Sequence, residues 1–207
     1  MKRTPIVIGL TGGVGSGKSA VTGILEKEHG AKIIIADQVS HDLMQPGTDT
    51  YEKVAAILPK EAFGEDGLID NKGMAGAIFR DEELLKKVNG IIHPDVIRAI
   101  TEEVEALKTS EDPPPYIVIE TALIVPGALD EWCDTIWYVY VPQEIRIDRL
   151  MSSRNYTREK CLSIMASQPS EDDYRFYSDT ELENDCTLEE LAEHIAWLLF
   201  YPEMTGI

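Results

Sequence analysis

The chain is short of positive charge, of cysteine and of long apolar runs. Lys and Arg number 19 against 37 Asp and Glu in 207 residues, a formal net charge of −18. Such a surface repels nucleic acid and anionic membrane, so neither is expected as a partner. Any polyphosphate site must therefore be locally basic against the global field. Cys133, Cys161 and Cys186 are too few and too scattered for a disulfide framework or a zinc centre. They read as thiols in a reducing, cytoplasmic setting. No run of about 18 apolar residues occurs that could span a membrane. The apolar stretch after Lys2-Arg3 is short and runs straight into glycines, unlike a signal peptide. Repeats and low-complexity segments are missing too. The length suits one α/β core with an inserted subdomain.

What is present begins with "IVIGLTGGVGSGKSAV", Ile6 to Val21. Gly12 to Ser19 fits G-x-x-x-x-G-K-[ST], with Gly12 and Gly17 as the fixed glycines. Ile6, Val7 and Ile8 read as a buried strand, while Ala20, Val21, Ile24 and Leu25 have helical spacing up to a stop at Gly30. Strand, loop and helix are thus in the order a phosphate loop needs. Backbone N–H groups from Gly12 to Ala20, through Gly13, Val14, Gly15 and Ser16, would converge on phosphate at a positive helix end. Lys18 would reach the β- and γ-phosphates, and the Ser19 hydroxyl would sit on Mg²⁺. Gly15-x-Gly17-x-x-Ala20 also fits a dinucleotide fingerprint, with Asp37 near the ribose-binding distance. Lys18-Ser19 decides between them, since a nicotinamide pyrophosphate needs neither residue.

"AKIIIAD" reads as a second buried strand ending in Asp37, and "YIVIE" and "TIWYVYV" as two more, the first ending in Glu120. Gln38 to about Lys108 is helical in period, with "FGEDGLID" as a break and a new helix starting at His93-Pro94. "TSEDPPP" is a linker. Pro142 opens a helix through Arg149, and Thr157 opens another to about Ser167. Thr187-x-x-Glu190 is a capping box before an apolar stripe. Alternation of this kind builds a parallel sheet, with ligands at the carboxyl ends of its strands. The phosphate loop, Asp37 and Glu120 would share that edge.

No guanine-reading N-K-x-D follows a late strand, which speaks against a GTPase, and the chain is small for an ATPase motor. A compact kinase with a helical acceptor insert and a basic lid remains. The lid stretch carries Arg146, Arg149, Arg154, Arg158 and Lys160 against Asp148 and Glu159. In so acidic a chain this local reversal points to phosphate. Arg149 and Arg154 are the main candidates to neutralise the transferring group. The alternative is a solvated helix face of i,i+3 and i,i+4 pairs.

At this point the chain resembles the dephospho-coenzyme A kinases nearly end to end. "GLTGGVGSGKS" is similar to the family's opening, and the segment "FGEDGLIDNKGMAGAIFRDEELLKKVNGIIHPDV" to its helical insert. "DRLMSSR" resembles its lid, Gln168 the residue that closes it, and Asp179 with Asn184 the late segment near the adenine. The resemblance implies an α/β P-loop kinase: a parallel five-stranded sheet flanked by helices, with an acceptor-binding insert over about 38–108 and a lid over about 143–178. It implies ATP and dephospho-coenzyme A as substrates, Mg²⁺ as cofactor, and phosphorylation of the ribose 3′-hydroxyl. The protein would be a monomer or weak homo-oligomer. Thr11, Asp37, His41 and His93 would face the acceptor, and Asn184 the nucleotide. A ribose hydroxyl is a poor nucleophile, so Asp37 is the candidate general base, with a helix N-cap as its alternative role.

The chain also departs from that pattern. Ile35 stands where the family has an aspartate, Ala122 to Pro126 lacks a usual glutamate, Ile164 replaces an arginine and Tyr174 a lysine. These changes keep open a kinase for another nucleoside-like metabolite, or a paralogue that binds ATP or coenzyme A without turnover.

Overall fold

The computed structural model describes residues 4–121 and 132–201. They divide into two compact units, Ala36–Glu103 and the remainder.

The larger unit is built on strand β1 (Ile6–Thr11), which is apolar along its length because both of its faces are covered. It is the middle strand of five, in the order β2-β3-β1-β4-β5 with β2 Lys32–Ile35, β3 Tyr116–Glu120, β4 Thr135–Tyr140 and β5 Thr180–Glu183. Every pairing is parallel. Helices α1 (Lys18–His29) and α9 (Leu188–Phe200) cover one face. Val21, Ile24 and Leu25 of α1 and Leu191, Ile195 and Leu198 of α9 pack there with Ile8, Leu10, Val118, Trp137 and Val139. Gly30 ends α1 in the left-handed region at φ 65°, and Thr187 with Glu190 forms the expected capping box. Helices α6 (Gln143–Arg154), α7 (Arg158–Ala166) and α8 (Glu171–Phe176) follow β4.

Two boundaries differ from the sequence reading here. The first helix of that group runs past Arg149 to Arg154, where Asn155 takes a left-handed conformation at φ 53° and ends it. The fifth strand has the sequence TELE, and of its residues only Leu182 is buried. An edge strand needs no apolar run, so the residues alone did not reveal it.

The smaller unit holds α2 (Ala36–Leu43), α3 (Asp49–Ala55), α4 (Asn71–Arg80) and most of α5 (Glu82–Thr109). Val54, Leu58, Ala62 and Val88 form its core, with Met74, Ile78 and Ile91 against them. Asp70 caps α4 by accepting the Gly73 N–H at 2.7 Å. His93-Pro94 does not start a helix: α5 continues through Pro94. Proline deprives the carbonyl four residues back of its donor and crowds it. That residue is Gly90, whose missing side chain leaves the backbone room to adjust.

Candidate active site

The phosphate loop leaves β1 at Gly12 and enters α1 at Lys18, as its spacing predicts. Gly12, Gly15 and Gly17 have φ of 149°, 80° and 88°, which side chains would strain. Ser16 N–H donates to the Gly13 carbonyl at 3.1 Å, closing the turn. The Gly15 and Gly17 amides donate to nothing among the described residues, and α1 has no side-chain cap. Open donors at a helix N-terminus make an anion cradle. Lys18 Nζ donates to the Gly12 carbonyl at 2.8 Å, so its ammonium is folded onto the loop. The hydroxyls of Thr11 and Ser16 are buried and have no hydrogen-bond partner among the described residues. Buried polar atoms are normally paired, so two orphans at one loop mark a place built for another group.

Residues from three later elements hold the loop. Arg146 Nε donates to the Val14 carbonyl at 2.9 Å, and the Val14 N–H donates to Gln168 Oε1 at 2.9 Å. The Val14 side chain packs against Ile147, Leu150 and Cys161 of α6 and α7. Both ends of the loop's tip and its side chain are therefore fixed. Just past β5, Asn184 Nδ2 donates to the Ser16 carbonyl at 2.8 Å, while the Asn184 carbonyl accepts from Arg149 Nη2 at 2.7 Å. A methyl group on Gly17 would collide with that amide nitrogen.

Of the expected site residues, Gly12 to Ala20, Arg149 and Asn184 are brought together. Asn184 is buried, with its amide nitrogen committed to the loop. Arg154 is exposed at the end of α6 and makes no hydrogen bond or ion pair among the described residues. Asp179, read as near the adenine, instead accepts the Ile136 N–H at 2.7 Å where β4 starts. It precedes β5 while Asn184 follows it, so the two sit at opposite ends of that strand. Glu120 ends β3, in register with Leu10 and Ile35. Asp37 does not end a strand: β2 stops at Ile35 and Asp37 is exposed in the first turn of α2. His41, on α2, lies 3.0 Å from Gln45 Nε2. His93 is half-buried within α5. The Ala122 to Pro126 departure lies outside the described residues. Tyr174 is buried and stacks on Tyr138, with ring centroids 5.0 Å apart. Burial pushes the Tyr138 phenol up to about 12, with Arg146 pulling the other way.

Sequence reasoning undervalued Arg146. Its signal was helical spacing, since position 146 shares a face with Leu150 and adjoins Ile147, both buried. Arg158, by contrast, forms a two-pronged pair with Glu144 at 2.7 and 2.8 Å.

A parallel sheet, a phosphate loop at its carboxyl edge and arginines on the helix after β4 define a P-loop kinase. Residues 6–190 match the family model for dephospho-CoA kinase. The chain is 35% identical over 194 residues to a dephospho-CoA kinase of Carboxydothermus hydrogenoformans, covering 93% of this chain and 92% of that one. A dephospho-CoA kinase of Staphylococcus saprophyticus is 34% identical, with 94% and 93% covered. Among solved structures, TT1252 from Thermus thermophilus superposes with a TM-score of 0.80 at 29% identity, covering 99% of this chain and 100% of that one. A shikimate kinase from Acinetobacter baumannii shares the fold alone, with a TM-score of 0.56 at 16% identity over 97% of this chain and 96% of that one. The chain belongs to the dephospho-CoA kinase family.

Proposed function

We infer that the protein moves the γ-phosphoryl group of ATP onto the ribose 3′-hydroxyl of dephospho-coenzyme A, giving coenzyme A and ADP. The observation that carries this reading is the phosphate loop, with its open amides and orphaned Thr11 and Ser16 hydroxyls, in a chain of this family. The loop amides bind the polyphosphate, and Lys18 leaves the Gly12 carbonyl to meet the β- and γ-phosphates. Arg149, held by Asn184, places positive charge beside the loop, and the exposed Arg154 adds a second charge. Both act on charge that spreads over the transferring oxygens.

Ser19 fits a magnesium site. Its side chain is exposed just past the loop, and Mg²⁺ bound with nucleotide takes most of its ligands from phosphate and water. A cluster of carboxylates is not required, and none with three or more His, Cys, Asp or Glu occurs among the described residues. When bound there, the ion neutralises phosphate charge and orients the triphosphate. On the acceptor side, Asp37 takes the proton from the attacking hydroxyl. Its carboxylate makes no hydrogen bond or ion pair among the described residues, so it is available as a base. The Ala36–Glu103 unit supplies the acceptor surface, with His41 and His93 as contacts. No helix among the described residues is long and apolar enough to cross a membrane.

The test is an ADP-release assay with MgATP against dephospho-coenzyme A and a panel of nucleosides. Turnover with dephospho-coenzyme A alone is expected. Turnover of another metabolite in its place would reassign the acceptor, and ATP binding without any turnover would mark a non-catalytic paralogue.

A further inference from the structure

Arg146 differs from the other arginines of its region. Arg158 is paired with Glu144, and Arg175 of α8 with Glu181 at 2.7 Å. Arg146 is 7% exposed, yet no carboxylate lies within ion-pair distance of it among the described residues. The chain has 37 acidic residues, so the omission does not come from scarcity. Among the described residues, only the Nε–H of the guanidinium's N–H donors has a partner, the Val14 carbonyl at 2.9 Å. Its outer nitrogens lie over Gly13, close enough that a side chain at that position would collide with them. Lys18 Nζ is bonded to the preceding residue, Gly12. Two cations thus sit on neighbouring residues of the phosphate loop.

A guanidinium so little exposed and without a counter-charge is costly, and an arriving anion offsets that cost. The charge also pulls down the titration of the Tyr138 and Tyr174 phenols beside it. Neither tyrosine supplies an anion at neutral pH, as burial pushes both phenols above their ordinary value. The remaining donors are oriented by the Nε bond to the Val14 carbonyl and lie over Gly13. A preorganised planar donor set of this kind suits phosphate oxygens.

We propose that Arg146 is a third phosphate-binding cation of the site, contacting the γ-phosphoryl group of ATP through its outer guanidinium nitrogens. This rests on the nucleotide half of the proposed function and not on which acceptor is used. The Nε bond fixes the loop tip, and the Nη atoms bind the group that is transferred. Arg146 therefore favours ATP over ADP and stabilises charge as transfer proceeds.

The experiment uses Arg146→Gln and Arg146→Lys in the full chain. The amide nitrogen of glutamine falls where Nε stands, so Gln keeps a donor for Val14 and removes only the outer guanidinium. MgATP and MgADP affinities are measured by calorimetry, together with kcat for dephospho-coenzyme A. Arg146→Gln is expected to bind ATP about tenfold or more weakly, to bind ADP within about twofold of wild type, and to lose about 10²-fold in kcat, the scale of one preorganised donor. Arg146→Lys, keeping the charge, should recover part of the kcat loss. Equal weakening of ATP and ADP, or wild-type kcat in Arg146→Gln, would overturn the proposal and leave Arg146 as a brace for Val14. Should either variant fail to fold, the wild-type protein decides by the ¹⁵N resonance of the Arg146 side chain. It should shift with a non-hydrolysable ATP analogue well beyond its shift with ADP, and matching shifts would refute the contact. If wild type fails to phosphorylate dephospho-coenzyme A, the acceptor assignment falls while the ATP–ADP comparison still judges Arg146.

Discussion

Gln168 and Val14 are 154 positions apart, yet the Gln168 side-chain oxygen accepts the Val14 N–H at 2.9 Å, at the tip of the phosphate loop. Gln168 lies two residues past the end of α7, so this bond ties the chain after α7 to the phosphate loop. Arg146 and Gln168 thus both hold the loop tip, while Arg154 and Asn155, between them in sequence, are exposed.

Gln168→Ala removes the acceptor and leaves the Val14 N–H unpaired in a half-buried place. One such bond contributes about 1 kcal/mol net. The expected outcome is a KM for ATP raised severalfold, up to about tenfold, since about 1.4 kcal/mol corresponds to a factor of ten. Steady-state kinetics with ATP varied checks it. An unchanged KM would show that the loop tip is held by Arg146 and apolar packing alone.

Gly17 and Asn184 form the second brace. Alanine at 17 has to adopt φ near 88° and also displace the Asn184 amide from the Ser16 carbonyl. The first cost is about 1–2 kcal/mol and the loss of a buried hydrogen bond adds about 1–3 kcal/mol. Gly17→Ala should weaken MgATP binding at least about tenfold. Asn184→Asp, which turns a donor facing a carbonyl into an acceptor, should lower thermal stability as well as ATP affinity. Calorimetry and a melting curve on both variants check this. Wild-type ATP affinity in Asn184→Asp would mean that Ser16 needs no support from β5.

These braces explain how far the sequence could be read. The phosphate loop, α1 and the central strands were legible because glycine spacing and apolar runs are local signals. The continuity of α5 through Pro94 was not, because proline reads as a breaker and the compensation depends on Gly90 and on packing along the rest of the helix. Asp37 was placed at the end of a strand because AKIIIAD is unbroken in hydropathy, although hydrogen bonding to β3 stops at Ile35. Contacts such as Asn184 to Ser16 join residues 168 positions apart, and nothing in either segment alone announces them. Arg146 stands among the lid basics in the sequence but does not stand out from them, for a related reason. Five basic residues in one stretch read as a single charged surface, whereas the fold buries one, pairs another with Glu144 and leaves Arg154 and Lys160 exposed.

In the smaller unit, Asp95 is buried at 5% exposure. It accepts the Thr50 hydroxyl at 2.8 Å and faces Arg98 at 2.8 Å and Lys53 at 3.5 Å. The Thr50 hydrogen bond chiefly, then the two cations, hold its carboxyl below the usual carboxylate range against the opposing effect of burial. A carboxyl whose folded pKa is depressed contributes stability above its unfolded value of about 3.9. That contribution is lost as pH falls through the lower, folded value. Asp95→Asn should therefore be less stable than wild type at pH 7, by about 1–3 kcal/mol for a buried charged hydrogen bond. The gap should close as pH falls below about 4. Urea unfolding at both pH values checks it, and a gap that does not change with pH would assign the loss to packing.

Asp37→Asn keeps the shape of the side chain and removes its ability to take a proton. General-base catalysis contributes about 10²–10⁴-fold, so kcat should fall within that range with the KM for ATP nearly unchanged. Single-turnover measurements separate the chemical step from product release. A full rate in Asp37→Asn would leave Asp37 with only a helix-end role in the first turn of α2.

The division of labour between the two units can be tested without any mutation. If Ala36–Glu103 is the acceptor unit, dephospho-coenzyme A should slow hydrogen exchange of amides within it, because a bound ligand orders the backbone it touches and raises the free energy of local opening. ATP alone should instead protect Gly12 to Ala20, together with the α6 residues around Arg149. The acceptor's pyrophosphate needs positive charge, and Lys72, Arg80, Lys86, Lys87 and Arg98 are the unit's exposed candidates. Arg98 is already engaged by Asp95 and Lys86 by Glu83, which leaves Lys72, Arg80 and Lys87 without an ion pair among the described residues. Protection should therefore be strongest around α4 and the start of α5, where those three lie. Protection by dephospho-coenzyme A confined to residues outside Ala36–Glu103 would remove the acceptor role from this unit. Protection there by a different metabolite, with none from dephospho-coenzyme A, would make the protein a kinase for another acceptor.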